Sequence, residues 1–212
     1  MRIVDLTRTI PAANGGRPTV ERYLVPLSIQ GGSYQGVCYR IAMNGMSGTY
    51  LDFPGHIECF DDGVHAGNAR LADLVMAETT VIHLAVEEGR REVTAGDLEG
   101  AGIEVRGAVL IVHALGEKSA ADFTPDTIPY YGKSAIEWIV SKRIRVFASD
   151  IYENVRKQQG VFVELFRRGI STVCCPTSLQ ELRETYPRSC VVPLAMESVT
   201  QLPCRFFVIE AQ

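Results

Sequence analysis

Tyr50, Asp52, His56 and Glu58 bring a phenol, a carboxylate, an imidazole and a second carboxylate into one short stretch. An imidazole has an unperturbed pKa of ~6.5, so it can both take and give a proton near neutrality. A neighbouring carboxylate fixes its tautomer and favours its cation. A phenol can donate a hydrogen bond to a carbonyl or enolate oxygen. The expected roles are therefore His56 as general acid/base, Asp52 as its orienter and Tyr50 as oxyanion donor. Met46, Glu58, His65 and Cys174 are the candidate substrate contacts around them. Each also has an ordinary use. A histidine after Pro54-Gly55 can cap a turn, an aspartate at a strand end can make an Asx-turn, a tyrosine can simply pack, and Glu58 can be a solvated charge.

The four chemical positions are all even-numbered, and side chains alternate faces in an extended chain, so the spacing predicts that they share one face. Gly48, Pro54 and Gly55 exclude a helix. Pro54 cannot donate to a sheet ladder, so the strand ends there or runs along an edge. The stretch reads as a strand entering a turn, with polar groups at the strand end beside a loop.

The flanking sequence supplies the rest of the frame. Ile3–Leu6 is a short strand and Pro11–Pro18 a loop. Arg22–Ile29 and Gly36–Met43 form a hairpin about Gly31-Gly32-Ser33. Cys59–Asn68 is a loop and Ala69–Val75 a short helical turn. Thr79–Val86 is a strand. Thr94 with Asp97 caps a short helix that Gly100 and Gly102 end. Ala108–Leu115 is a buried strand. Ser134 with Glu137 reads as a capping box opening a helix to Arg143, with Ile136, Ile139 and Val140 at helical spacing. Ile144–Ser149 is a buried strand ending at Asp150, and polar Asp150–Asn154 lies where α/β proteins often contact ligands. Phe162–Arg168 is a helix stopped by Gly169. Ser171–Cys175 is a strand, Thr177–Arg183 a helix boxed by Thr177 and Gln180, and Cys190–Met196 and Arg205–Glu210 are closing strands. Hairpin material followed by alternating β and α predicts one α/β domain over residues 1–212 with a mixed sheet.

The 212 residues are 46% hydrophobic, enough for one buried core, and carry a net charge of -4. No Lys/Arg run marks a nucleic-acid or membrane surface. No apolar run is long enough for a membrane span, and the N-terminus does not read as a signal peptide. Cys38, Cys59, Cys174, Cys175, Cys190 and Cys204 lack Cys-x-x-Cys spacing and read as reduced thiols of a cytoplasmic protein. His83 and His113 lie in apolar strand patterns and read as satisfied core histidines. No phosphate loop or Gly-x-Gly-x-x-Gly predicts a nucleotide, so no cofactor is expected.

Gly48, Thr49, Asp52, Pro54 and His56 resemble the His-x-Gly-Thr-His-x-Asp-x-Pro-x-His motif of the cyclase family that includes bacterial kynurenine formamidase and isatin hydrolase. Arg145–Asp150, Val192-Pro193-Leu194 and Pro203-Cys204-Arg205 are similar to later segments of the family, so the resemblance covers nearly the whole chain. It implies a swivelling β/β/α fold, a homo-oligomer (a dimer), and a catalytic divalent metal held by the motif's first two histidines and its aspartate. Met46 and Tyr50 stand where those histidines would be, and Cys174 falls about where the family places a glutamate ligand. The resemblance thus implies a kept scaffold whose metal ligands are largely gone. Three functions follow. The first is a metal-independent cyclase or lyase doing acid/base chemistry on a small activated carbonyl substrate. The second is a metal-dependent amide hydrolase with a site rebuilt from Asp52, His56 and Cys174. The third is a pseudoenzyme that binds a small ligand or partner.

Overall fold

The computed structural model describes residues 1–11, 18–29, 31–84, 91–124, 126–154 and 159–211. Most of the loop expected at Pro11–Pro18, and the last residues of the strand expected at Thr79–Val86, lie outside them. In chain order the elements are β1 (Arg2–Asp5), β2 (Thr19–Ile29), β3 (Gly32–Ala42), β4 (Tyr50–Asp52), β5 (Ala77–His83), β6 (Glu92–Val93), α1 (Ala95–Gly100), β7 (Val109–His113), β8 (Tyr130–Tyr131), α2 (Lys133–Ser141), β9 (Val146–Ser149), α3 (Val161–Arg167), β10 (Ser171–Cys174), β11 (Arg188–Pro193) and β12 (Gln201–Glu210). The fold is mixed α/β with few helices.

The main sheet has eight strands in the order β1-β12-β11-β5-β7-β9-β10-β4, and β4 pairs back onto β12. The strands from β12 round to β4 therefore form a closed ring, with β1 beside the far end of β12. β5, β7, β9 and β10 run parallel, and the remaining ladders of this sheet are antiparallel. The sheet is mixed, as expected. Its closure was not legible in the pattern of strands and removes most free edges.

Alternation along the strands builds two cores. Leu51, Val109, Ile111, Val146, Ala148, Val173, Phe206 and Val208 pack together within the ring. Leu110, Val112 and Phe147 face the other way, against Ala135, Ile136 and Ile139 of α2 and Leu165 and Phe166 of α3. A single slip of register would exchange these two sets, so each strand's phase is strongly fixed.

Two expected helix starts are corrected. α2 begins at Lys133 with Gly132 as N-cap and no side-chain cap. Ser134 is already inside the helix, its hydroxyl accepting from the Ala95 N–H at 3.2 Å. The helix expected at Thr177–Arg183 is one 3-10 turn, Leu179–Glu181, behind a left-handed Ser178. The Thr177 N–H is committed to the Leu6 carbonyl at 2.9 Å, which holds this segment against the end of β1. By contrast, Thr94 and Asp97 make a full capping box on α1.

The hairpin β2–β3 pairs only with itself. Val20, Leu24, Val37, Tyr39 and Ile41 share one face of it by register, and each is at least 46% exposed. Arg22 lies among them on the same face, and so many exposed apolar side chains on one hairpin predict self-association. Light scattering at micromolar concentration should give twice the 23.3 kDa monomer mass. Leu24→Glu combined with Val37→Glu, a cross-strand pair on that face, should give a folded monomer. A monomeric wild-type protein would sink this expectation.

Candidate active site

β4 is only three residues long, yet it is paired along both edges. Cys174 and Pro203 flank Tyr50, and Thr172 and Gln201 flank Asp52. Leu51 and Val173 point into the ring core. By alternation Tyr50, Asp52, Thr172 and Cys174 point out of it, toward α3. The signature stretch thus becomes two polar rows on the outer face of the closing strand.

Three residues of the stretch explain why it sits there. Thr49 is buried, its hydroxyl accepting from the Arg8 N–H at 2.8 Å and donating to the Cys175 carbonyl at 2.9 Å. One side chain so ties the segment after β1 to the end of β10. Gly48 has φ +68, and a Cβ there would stand 2.6 Å from Ile10 Cγ1 and 2.8 Å from the Arg8 carbonyl. At Gly55 a Cβ would meet Asp61 Oδ1 at 2.8 Å. Gly48 needs glycine for its left-handed φ and the close backbone approach, whereas at Gly55 the crowding comes from the Asp61 and Thr200 side chains.

The electrostatics of the two rows favour neutral groups. Burial holds the Asp52 carboxyl above its ordinary range, opposed by Gln201, by the charge of His56 and by Cys174. The Cys174 thiol lies 3.8 Å from Asp52 Oδ2, and Asp52 Oδ1 is buried without a partner. Burial likewise pushes the Tyr50 phenol well up, reinforced by Cys174, Cys175 and Asp52. It does the same to the Cys174 thiol, with Asp52 as the next cause. Tyr50 and Cys174 therefore stay protonated across neutral pH, as hydrogen-bond donors rather than anions.

Beside these rows lies a cavity of about 310 Å³. Tyr50, Cys174, Cys175, Ser149, Asp150 and Tyr152 line it, with Arg8 and Lys118 among the charged groups. It opens at the carboxyl ends of parallel β7, β9 and β10, the usual ligand position in such sheets. The polar segment after β9 does reach it. Asp150 accepts from the Ala114 and Leu115 N–H groups at 2.9 and 3.0 Å. Glu153 instead caps α3, accepting from the N–H of Val161 at 2.9 Å and from that of Gly160.

The shared face predicted for the four even-numbered residues holds for Tyr50 and Asp52 only. Beyond Asp52 the chain enters a 3-10 turn, Pro54–His56, and the period of two is lost. His56 is exposed and does not line the cavity. Its Nε2 stands 3.3 Å from the Gln201 amide nitrogen, and its ring meets Phe166 edge-on. Gln201, opposite Asp52 in the ladder, is the residue between the expected pair. Met46 and Glu58 are exposed and, like His65, are absent from the cavity wall. His65 Nδ1 accepts from the Gly67 N–H at 3.1 Å, a loop contact. His113 is buried, its Nε2 2.9 Å from the Gly116 carbonyl and its Nδ1 2.8 Å from His83 Nδ1. Neither Gln201 nor Arg8 is marked by any local motif; long-range pairing alone brings them to the site.

A closed mixed sheet with a polar site at its strand ends defines an α/β protein of enzyme-like architecture. The Cyclase family model, described as "Putative cyclase", matches residues 4–153, and the chain belongs to that family. Isatin hydrolase A from Labrenzia aggregata superposes with a TM-score of 0.72 at 20% identity, covering 100% of this chain and 94% of that one. Isatin hydrolase A from Ralstonia solanacearum gives 0.71 at 15%, covering 99% and 92%. A protein from Bacillus stearothermophilus described as a predicted metal-dependent hydrolase gives 0.69 at 18%, covering 99% and 98%. None of the curated proteins matches the sequence. These solved structures share the fold.

The donor set does not suit the divalent ion that the resemblance implies. Among the described residues no three His, Cys, Asp or Glu side chains stand together as ligands. Asp52 Oδ1 is an orphan that an ion could satisfy. Its neighbours, however, are the thiol of Cys174 and, in the same row, the phenol of Tyr50, and one carboxyl with one thiol falls short of the three or four His, Cys, Asp or Glu ligands of a zinc site.

Two predictions follow from this geometry. Thr49→Val removes a buried hydroxyl that serves two part-buried backbone groups and should destabilise the fold by about 1–3 kcal/mol, measured by urea denaturation; an unchanged midpoint would refute the staple role. The second concerns pH. A carboxyl whose pKa is raised on folding contributes stability that is full at low pH and is lost as pH rises through its folded value. Asp52→Asn removes that loss, so its stability relative to wild type should improve as pH climbs above the ordinary carboxylate range. A difference that is flat or falls with pH would contradict the assignment.

Proposed function

We propose that this chain, on a swivelling β/β/α scaffold, is a metal-independent cyclase- or lyase-type enzyme acting by acid/base chemistry on a small activated carbonyl compound. The observation that carries the reading is the Tyr50 phenol on the cavity wall with the buried Asp52 carboxyl in the next row, both biased by burial toward their protonated forms. Tyr50 donates to the substrate's carbonyl oxygen and stabilises the enolate that forms as the proton from carbon passes to the ionised form of Asp52, whose basicity burial raises. Asp52 then holds that proton behind Tyr50. His56, on the solvent side and tied to the same row by Gln201, exchanges protons with water. The main donor role thereby moves from His56 to Tyr50.

Proton transfer, dehydration and ring closure need no hydroxide, whereas hydrolysis of an unactivated amide does, and a metal is the usual means of making it at neutral pH. The donor chemistry around Asp52 supports the first group of reactions.

The test is turnover of a panel of activated carbonyl compounds before and after chelation. Activity should survive chelator, and purified protein should carry well under one equivalent of zinc, manganese or iron. Tyr50→Phe and Asp52→Asn should each lower kcat by about 10²–10⁴, with the double variant hardly worse than the worse single one. His56→Ala should cost less than either. Activity lost on chelation and restored by zinc or manganese would favour a rebuilt metal site. A folded chain that binds panel compounds without turning any over would be a ligand-binding pseudoenzyme.

A further inference from the structure

We propose that His83 and His113 form a pH-sensitive latch on the cavity rim, which holds the turn after β7 while one proton is shared between the two Nδ1 atoms and frees it when both Nδ1 atoms are protonated. This goes beyond the reaction proposed above and does not rest on it.

The two histidines end neighbouring parallel strands, β5 and β7, and stand opposite each other in the ladder. Their rings meet edge-on at 88°, with the Nδ1 atoms 2.8 Å apart. At that distance a proton lies between the nitrogens. Its owner follows from the other side of the His113 ring. There Nε2 stands 2.9 Å from the Gly116 carbonyl, which can only accept, so Nε2 carries a hydrogen. Neutral His113 then has its lone pair on Nδ1, and His83 Nδ1 is the donor. His83 Nε2 is left as the one ring nitrogen that can take a proton without breaking a bond.

The turn that His113 holds belongs to the cavity. Leu115, Glu117 and Lys118 are in its wall. The backbone of this turn is tied by His113 to the Gly116 carbonyl, by Asp150 to the Ala114 and Leu115 N–H groups, and by the Lys118 N–H to the Leu115 carbonyl at 3.2 Å. Gly116 is left-handed at φ +62, and a Cβ there would meet nothing within 4 Å, so the tip of the turn relies on the imidazole rather than on packing.

The surrounding charges set the order of events. Partial burial and the facing His113 ring hold His83 below the ordinary imidazole range, and the Leu182 backbone, Asp150 and Glu210 oppose them. Asp150 Oδ2 is 3.7 Å from His113 Nε2. Glu210 is engaged by Arg2 and by the N–H groups of Arg183 and Glu184, and Glu117 and Lys118 lie on the turn itself. A first added proton enters at His83 Nε2 and leaves the bond between the rings intact. A second has only His113 Nδ1 to occupy, where it faces the His83 N–H and a like charge. That bond is then lost and the His113 ring swings away from Gly116. In the released form both rings are hydrated and titrate near ~6.5. The released form binds more protons than the latched one, so falling pH favours release.

Amide hydrogen exchange on the full chain tests this, read as protection corrected for the intrinsic rate at each pH. Protection at Leu115 and Lys118 should fall about tenfold for each pH unit once the pair carries its first added proton, while Val81 and Ile111 within the strands keep theirs. His83→Gln offers His113 Nδ1 an N–H but no titrating group, so its turn should stay protected over the same range. Asp150 titrates in both proteins, so a loss of protection due to that carboxyl would appear in both. Proton–nitrogen NMR of the wild-type rings at mildly alkaline pH should place the hydrogen of His83 on Nδ1 and that of His113 on Nε2, a measurement that needs no variant. A neutral His83 with its hydrogen on Nε2, a turn that stays protected until the whole chain unfolds, or an equal acid loss in His83→Gln would each overturn the proposal.

Discussion

The molecule depends on the closure of its sheet at a strand of three residues. β4 can sit between β10 and β12 because backbone pairing continues along both of its edges, and because Thr49 bonds to chain on either side of it. A strand this short contributes little apolar area itself; Leu51 is its one residue in the ring core. Its position is fixed instead by the penalty for leaving buried backbone and hydroxyl groups unpaired. That constraint sets the phase that turns Tyr50 and Asp52 outward. A slip by one residue would bury both in the ring core and expel Leu51. Gly48 serves the same closure, since a side chain there would run into Ile10 and the Arg8 carbonyl beside the start of β4.

The parallel half of the sheet then determines where a ligand can go. β7, β9 and β10 end together, and the turns after them supply Leu115, Asp150 and Cys175 to one cavity. α3 begins beside this rim and is capped by Glu153 from the β9 turn, so the cavity wall and the helix are built by the same loop. The tyrosine of the first polar row reaches the cavity because β4 runs antiparallel to β10, which sets the start of β4 next to the end of β10.

What the sequence revealed and what it hid follow from range. Local chemistry was legible: Thr94 with Asp97, Gly169 after α3, and the Gly48–Pro54 stretch all act through neighbours close in the chain. The even-number rule stopped at Asp52 because Pro54 has no N–H to extend a ladder, and the 3-10 turn that follows has a period near three. His56 therefore leaves the face that its number suggested. The two failed capping boxes have another cause. Ser134 and Thr177 had compatible spacing, but each was taken by a partner far off in sequence, Ala95 and Leu6. Gln201 and Arg8 come to the site through ladders and a hydroxyl bridge that span much of the chain, so no window of sequence could show them.

Met46 and Tyr50 stand where the resemblance places metal-ligating histidines, and the reaction proposed above follows from that exchange. A bound divalent ion acts by stabilising negative charge on oxygen and by making hydroxide available at neutral pH. A desolvated phenol keeps a share of the first ability: a well-placed donor in a dry site is worth about 10²–10³ in rate. It has none of the second, since a protonated Tyr50 cannot generate a nucleophile from water. On the proposed reading, substrates for this site already carry an acidic C–H or an internal nucleophile. The fold is shared with isatin hydrolase A at 20% identity, and under the proposed reading the reaction on it is proton transfer within a bound substrate rather than attack by water.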